Sequence, residues 1–218
     1  MANLASTYSN QGRWNEAEKL QVDVMNARKI KLGSDHPDTL SSMANLACTY
    51  MNQGRWNEAE KLQVNAMNAR KSKLGSDHPH TLTSMANLAC TYRDQGRWDE
   101  AEKLQVDVVN ASKAKFGSDH PDTLTSMALL AIIYQSQGRF DEAHSLLSPT
   151  IQTMQNVMGT HHPTVLYSIT VLDELSQAMQ HKENKQKVSL VCFHVIFNIV
   201  PLDLSFVKAQ QSTRPVRC

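Results

Sequence analysis

Four histidines stand one period apart, each beside a proline: His36, His78, His120 and His162, followed by Pro37, Pro79, Pro121 and Pro163, with His161 adjoining the last. Histidine is the commonest metal ligand and a ready general base near neutral pH. One such residue per 42 positions places these rings on separate turns, with no cysteine or carboxylate trio converging on them. Regular recurrence is instead expected of a residue built into a helix-entry turn, so no metal site is expected. Cys48 and Cys90 also hold matching positions and could serve as nucleophiles. Ser6 and Ile132 fill that slot elsewhere, which points to a small residue beside a groove. The pairs Glu58-x-Glu60 and Glu100-x-Glu102 look like acid–base dyads, but residues two apart on a helix face different ways. No two glycines are nearer than 21 residues, so neither a phosphate-binding loop nor a dinucleotide fingerprint is present. The expectation is a chain that is not an enzyme and needs no cofactor.

Composition narrows the partners. Lys plus Arg total 22 against 21 Asp plus Glu, a formal charge of +1, which gives no electrostatic reason to expect nucleic acid or an anionic membrane. The four cysteines, Cys48, Cys90, Cys192 and Cys218, form no disulfide framework, and Met1 to Lys19 lacks a secretory pattern. A cytoplasmic location follows as the expectation.

The elements that position these residues are set by an internal repeat. MANLA begins at Met1, Met43 and Met85, and MALLA at Met127, giving units 1–42, 43–84, 85–126 and 127–168. Units one and two share 35 of 42 positions, two and three share 32, and three and four share 17. All eight glycines fall in two repeated slots, headed by Gly12 and Gly33, as helix ends and turns require. Each unit therefore reads as a helical hairpin, with helix A near Pro37–Asn52 and helix B near Trp56–Lys73. Proline at the first helical position and Asp38 or Asp122 in the first turn suit helix starts. Met43, Leu46, Ala47 and Tyr50 form an apolar stripe on A, and Trp56, Ala59, Leu62, Ala66 and Met67 one on B. Neither stripe is buried by one hairpin alone, so stacking must complete the core.

Leu46-Ala47, Tyr50, Gly54 and Ala59 resemble the packing positions of the tetratricopeptide repeat. The 42-residue period, GRW-x-EAE-x-L and LGSDHPDTL are similar to the longer repeats of kinesin light chains. Near-identical tandem copies also resemble repeat arrays of fungal NOD-like receptor proteins. The fold this implies is all-α: an α-α superhelix of helix-turn-helix repeats. Gln21, Gln63 and Gln105 depart from the family's aromatic slot, which predicts looser packing. Pro149 falls inside the fourth helix B, where it is expected to kink or end the helix.

With the A stripe buried, Ser41, Asn45, Cys48, Met51 and Asn52 form a second stripe, matched in the next unit by Thr83, Asn87, Cys90 and Arg93. In tetratricopeptide arrays the A helices line the concave surface. The resemblance implies that Asn3, Asn45 and Asn87 contact a bound peptide's main chain. Arg93 could pair an acidic side chain or terminal carboxylate. The asparagine slot becomes Leu129 and Val171 further along, which confines any such ladder to three repeats.

Met1 aligns with internal helix residues, an oddity that an N-terminal cut or mis-assigned start would explain. Pro163 to about Gln180 reads as a closing helix, so the array is expected over 1–182. Residues 183–218 are expected to be a non-repeat tail outside the solenoid. Its apolar run, Val188 to Val200, is shorter than the ~20 residues a membrane span needs; a membrane-associated hairpin is the weaker alternative. The function expected is a scaffold binding a peptide or helix of a protein partner in its concave groove. The alternative is a segment of a larger NOD-like receptor protein with no independent activity. Self-association through open ends is a third expectation.

Overall fold

The computed structural model describes residues 2–199. Among them the chain forms α1 Ala2–Asn10, α2 Trp14–Leu32, α3 Pro37–Asn52, α4 Trp56–Leu74, α5 Pro79–Asp94, α6 Trp98–Phe116, α7 Pro121–Ser136, α8 Phe140–Met158 and α9 Pro163–Ile199, with no strand. Odd-numbered helices are the A helices, even-numbered ones to α8 the B helices. The boundaries follow local chemistry. His36 caps α3, its Nδ1 accepting from the Asp38 amide at 3.2 Å, with Pro37 next and Asp38 in the first turn. His78, His120 and His162 accept from the residue two ahead in the same way. The recurrent histidine is thus a helix cap, which satisfies an otherwise orphaned amide. At the other end of α3, the Arg55 amide donates to the Tyr50 carbonyl at 2.8 Å around Gly54 at φ 74°. That backbone is open to glycine and strained for other residues.

Two compact units divide the chain, Met1–Leu175 and Ser176–Cys218. In the first, each helix packs on its chain neighbours from α1 with α2 through α7 with α8, and α5 also meets α7. This is the hairpin solenoid that the repeat predicts. In the second, helix α9 continues to Ile199 and does not stop near 180. The slot that holds a turn glycine in the other repeats is Gln180 here, so nothing opens the helix. Residues 200–218 of the expected tail, and Met1, lie outside the described residues. No helix among those described is long and apolar enough to cross a membrane. α8 runs from Phe140 to Met158 with Pro149 inside it, so that proline does not end the helix.

The interior differs from the expected stripes in two respects. Leu46, Ala47, Ala59 and Ala66 are buried, and Met43, Tyr50, Leu62 and Met67 half-buried, but Trp56 is 40% exposed. It is the first residue of its helix, ahead of the turns that carry the buried positions Ala59 and Ala66. The glutamine slot does not leave a loose gap. Gln63 and Gln105 are buried; the Thr91 hydroxyl donates to Gln63 Oε1 at 2.7 Å, and Gln105 donates to the Ser126 carbonyl at 2.8 Å. Gln63 is engaged through its oxygen across the repeat junction, whereas Gln105 is engaged only through its nitrogen and its Oε1 is buried with no partner among the described residues, a cost the fold carries at this slot.

A polar brace ties each hairpin to the next. Arg97 Nη1 meets Glu60 of the preceding repeat at 2.9 Å, and its Nε meets Glu100 of its own at 2.7 Å. The guanidinium also lies 4.1 Å from the centre of the Tyr92 ring. Arg55 joins Glu18, Glu58 and Tyr50, and Arg139 joins Glu102, Glu142 and Tyr134, in the same pattern. The two glutamates of each E-A-E therefore do point apart. One closes the hairpin's own turn and the other reaches the next repeat.

Candidate functional site

The A helices carry their exposed polar residues on the side opposite the core. Ser41, Asn45, Cys48 and Asn52 are exposed on α3, as is Thr83 on α5, while Asn87, Cys90 and Arg93 are half-buried. Asn45, Cys48 and Asn52 share a cavity of about 280 Å³ with Ser6, Asn10 and Trp14. Thr83 and Asn87 line a second, of about 270 Å³, with Leu129 of the following A helix. Asn3 is exposed on α1. Among the described residues the side-chain amides of Asn3, Asn45 and Asn87 make no hydrogen bond, while the backbone carbonyls of these residues accept from Thr7, Thr49 and Thr91. Asn52, by contrast, donates to the Cys48 carbonyl, and Asn15 and Asn57 accept from Gln53 and Gln95. Three unused donor–acceptor groups at one slot of successive A helices are available to a main chain laid across them.

The remaining expected residues are already occupied in varying degree. Met51 turns toward the repeat junction, where its sulfur accepts from Gln63 at 3.4 Å and lies 3.2 Å from the Thr91 hydroxyl oxygen. Arg93 holds Asp94 through Nη2 at 2.6 Å and Nε at 2.9 Å. Burial opposes its charge, but the Asp94 carboxylate prevails and keeps the guanidinium above its ordinary value. It is a cation with a resident counterion, not a free one. Ser41 and Thr83 donate their hydroxyls to the carbonyls of Pro37 and Pro79. Cys48 and Cys90 are free thiols. Burial pushes both above the ordinary thiol value, and at Cys90 the neighbouring Asp94 and Cys48 add to it against Arg93. Cys48 is exposed by area, yet its sulfur is desolvated within the cavity. Protonated thiols are weak nucleophiles, so the small-residue reading fits this pair better than catalysis.

Tyr167 on α9, 58% exposed beside Leu166 at 49%, adds exposed apolar surface that the repeat pattern did not reveal. Its slot holds Ser41, Thr83 and Thr125 in the other units, so an aromatic there was a visible but unread signal.

Sequence models of the tetratricopeptide repeat match residues 49–114 and 91–148, and a second one residues 1–38, together more than half of the chain. The chain belongs to the tetratricopeptide repeat family. None of the curated proteins matches it. Among solved structures, it is similar to a Podosopora anserina protein described as a kinesin light chain with nearly identical TPR-like repeats. That fold aligns at a TM-score of 0.68 and 29% identity, over 90% of this chain and 94% of the other. A single-substitution variant of the same protein aligns at 0.69 and 29% identity, over 97% and 95%. BtubC (BKLC) from P. vanneervenii shares the fold at a TM-score of 0.67 and 17% identity, over 99% and 81%. The tetratricopeptide array seen here is accordingly of the kinesin light chain-like type, an architecture whose stacked hairpins offer an extended surface for protein–protein interaction.

Proposed function

We propose that the chain is a non-catalytic scaffold that holds an extended peptide segment of a protein partner along its A helices. The carrying observation is the placement of Asn3, Asn45 and Asn87 at one slot of successive A helices, with side-chain amides that make no hydrogen bond among the described residues. An amide can donate to and accept from one peptide backbone, which gives affinity without demanding a side-chain sequence. Cys48 and Cys90 beside them keep the floor of the groove low, and Ser41, Thr83 and Met51 border it. Arg93 with Asp94 offers a switchable pair: an incoming carboxylate competes with Asp94 for the guanidinium. The free thiols Cys48 and Cys90 accord with a reducing cytoplasm, and the functional array is taken as residues 1–182.

A peptide-display selection against the full chain tests this reading. The expected result is an enriched motif whose binding is lost in Asn45→Ala with Asn87→Ala, while the melting temperature of the double variant stays at the wild-type value. A folded chain that enriches no peptide overturns the groove and leaves the array as a segment serving a larger protein.

A further inference from the structure

Where α3, α4 and α5 meet, the chain encloses a cavity of about 290 Å³ lined by Arg70, Lys73, His78, His80, Asp35 and Ser41 among others. The row asparagines are not in its lining, although Ser41 borders both. Lys73 has a counterion there, the Asp35 carboxylate at 3.8 Å. Arg70 does not. Its residue is 9% exposed, Nη1 donates to the Ser84 hydroxyl at 2.6 Å, and among the described residues it forms no ion pair. Burial alone pushes its guanidinium below its ordinary value. A buried, uncompensated cation is costly, and proteins rarely keep one without a partner charge.

The other repeats show that this arrangement is peculiar to one junction. In the first, Arg28 occupies the equivalent slot, half-exposed, and reaches both the Ser42 hydroxyl at 2.7 Å and the carbonyl of Asp38 at 3.0 Å. In the third, Ser112 replaces the arginine opposite Asp122. Only the second junction pairs an arginine with a histidine, His80, at the acid's position. His78 Nδ1 is spent on the His80 amide at 3.2 Å, and the two rings lie 5.3 Å apart at the rim.

We propose that this cavity is an oxyanion site for a phosphate group, free or as a phosphate monoester, with Arg70 as the buried anchor and His78 and His80 as rim donors. Arg70 offers the forked donors that match phosphate oxygens. Asp35 stays with Lys73 and sets the limit on how much negative charge enters.

Two substitutions test the site with residues this chain already uses at the same slots: Arg70→Ser, as at Ser112, and His80→Asp, as at Asp38 and Asp122. The full chain is melted in sodium phosphate and in sodium chloride at equal ionic strength. Phosphate is expected to raise the wild-type melting temperature by about 2–4 °C more than that of either variant. Broadening of the inorganic phosphate ³¹P line by wild type, absent with both variants, is the direct readout. O-phospho-L-serine broadened likewise assigns the site to monoesters, and broadening of inorganic phosphate alone assigns it to the free ion. An equal phosphate response in all three proteins overturns the proposal, and should Arg70→Ser not fold, the comparison with His80→Asp still decides it.

Discussion

The first three hairpins bury Gln21, Gln63 and Gln105 at a slot where the fourth buries Leu147. The arginine slot, Arg28 and Arg70, becomes Met154, and the threonines Thr49 and Thr91 become Ile133. Along the groove the asparagines give way to Leu129 and the cysteines to Ile132. One backbone thus carries two interiors: amides and hydroxyls, several of them bonded across junctions, and a close aliphatic core from Leu124 to Leu175. The same array is specified by directional bonds at one end and by apolar burial at the other. Buried hydrogen bonds contribute little net stability but fix geometry, whereas aliphatic burial contributes most of the free energy. The polar repeats are therefore the better surface for a ligand, and the fourth the better anchor.

The largest effect should come from the anchor. Leu147 is fully buried, so Leu147→Ala leaves a cavity and is expected to cost about 2–5 kcal/mol in urea unfolding. A loss below about 1 kcal/mol would erase the contrast between the two ends.

A smaller effect belongs to the brace. Arg97→Ala removes contacts with Glu60, Glu100 and the Tyr92 ring, but the group is 36% exposed and screened, so the expected drop in melting temperature is only about 2–4 °C. Its pH signature is more diagnostic. Burial alone would raise the Glu60 carboxyl, but Gln95 and Arg97 outweigh it and hold it below the ordinary 4.5. A carboxylate depressed in the folded state leaves the unfolded chain binding more protons. Its contribution is complete above that ordinary value and is lost as pH falls through the folded one. Arg97→Ala should flatten the stability profile in that acid window, and a profile of unchanged slope would contradict the brace.

The hairpins, their boundaries and the capping role of the histidines were legible because glycine, proline and histidine act locally, within a turn of themselves. The brace was partly legible: E-A-E recurs in register, but only three dimensions reveal that Glu60 leaves its own hairpin for Arg97. Trp56 was misplaced because helical periodicity does not say where along the helix burial begins. The buried glutamines were misjudged as loose because their partners, Thr91 and Ser126, lie 28 and 21 residues away. Arg70 was missed altogether: its isolation is a property of what is absent around it, and only comparison of Arg28, Arg70 and Ser112 with the acids opposite exposes it.

The smallest effect concerns the thiols. With both held above the ordinary 9.0 by burial, alkylation at neutral pH, resolved by peptide mass spectrometry, should be slower at Cys48 and Cys90 than for a free thiol, and slowest at the more buried Cys90. Rapid labelling of Cys90 would mark it as a reactive group and reopen the question of chemistry in the groove.

Hydrogen exchange of the full chain with and without a selected peptide tests the central claim most directly. The account predicts added protection in α1, α3 and α5, where Asn3, Asn45 and Asn87 stand, with α4, α6 and α8 unchanged. Protection gained in the B helices alone, or confined to α7 and α8, would contradict it.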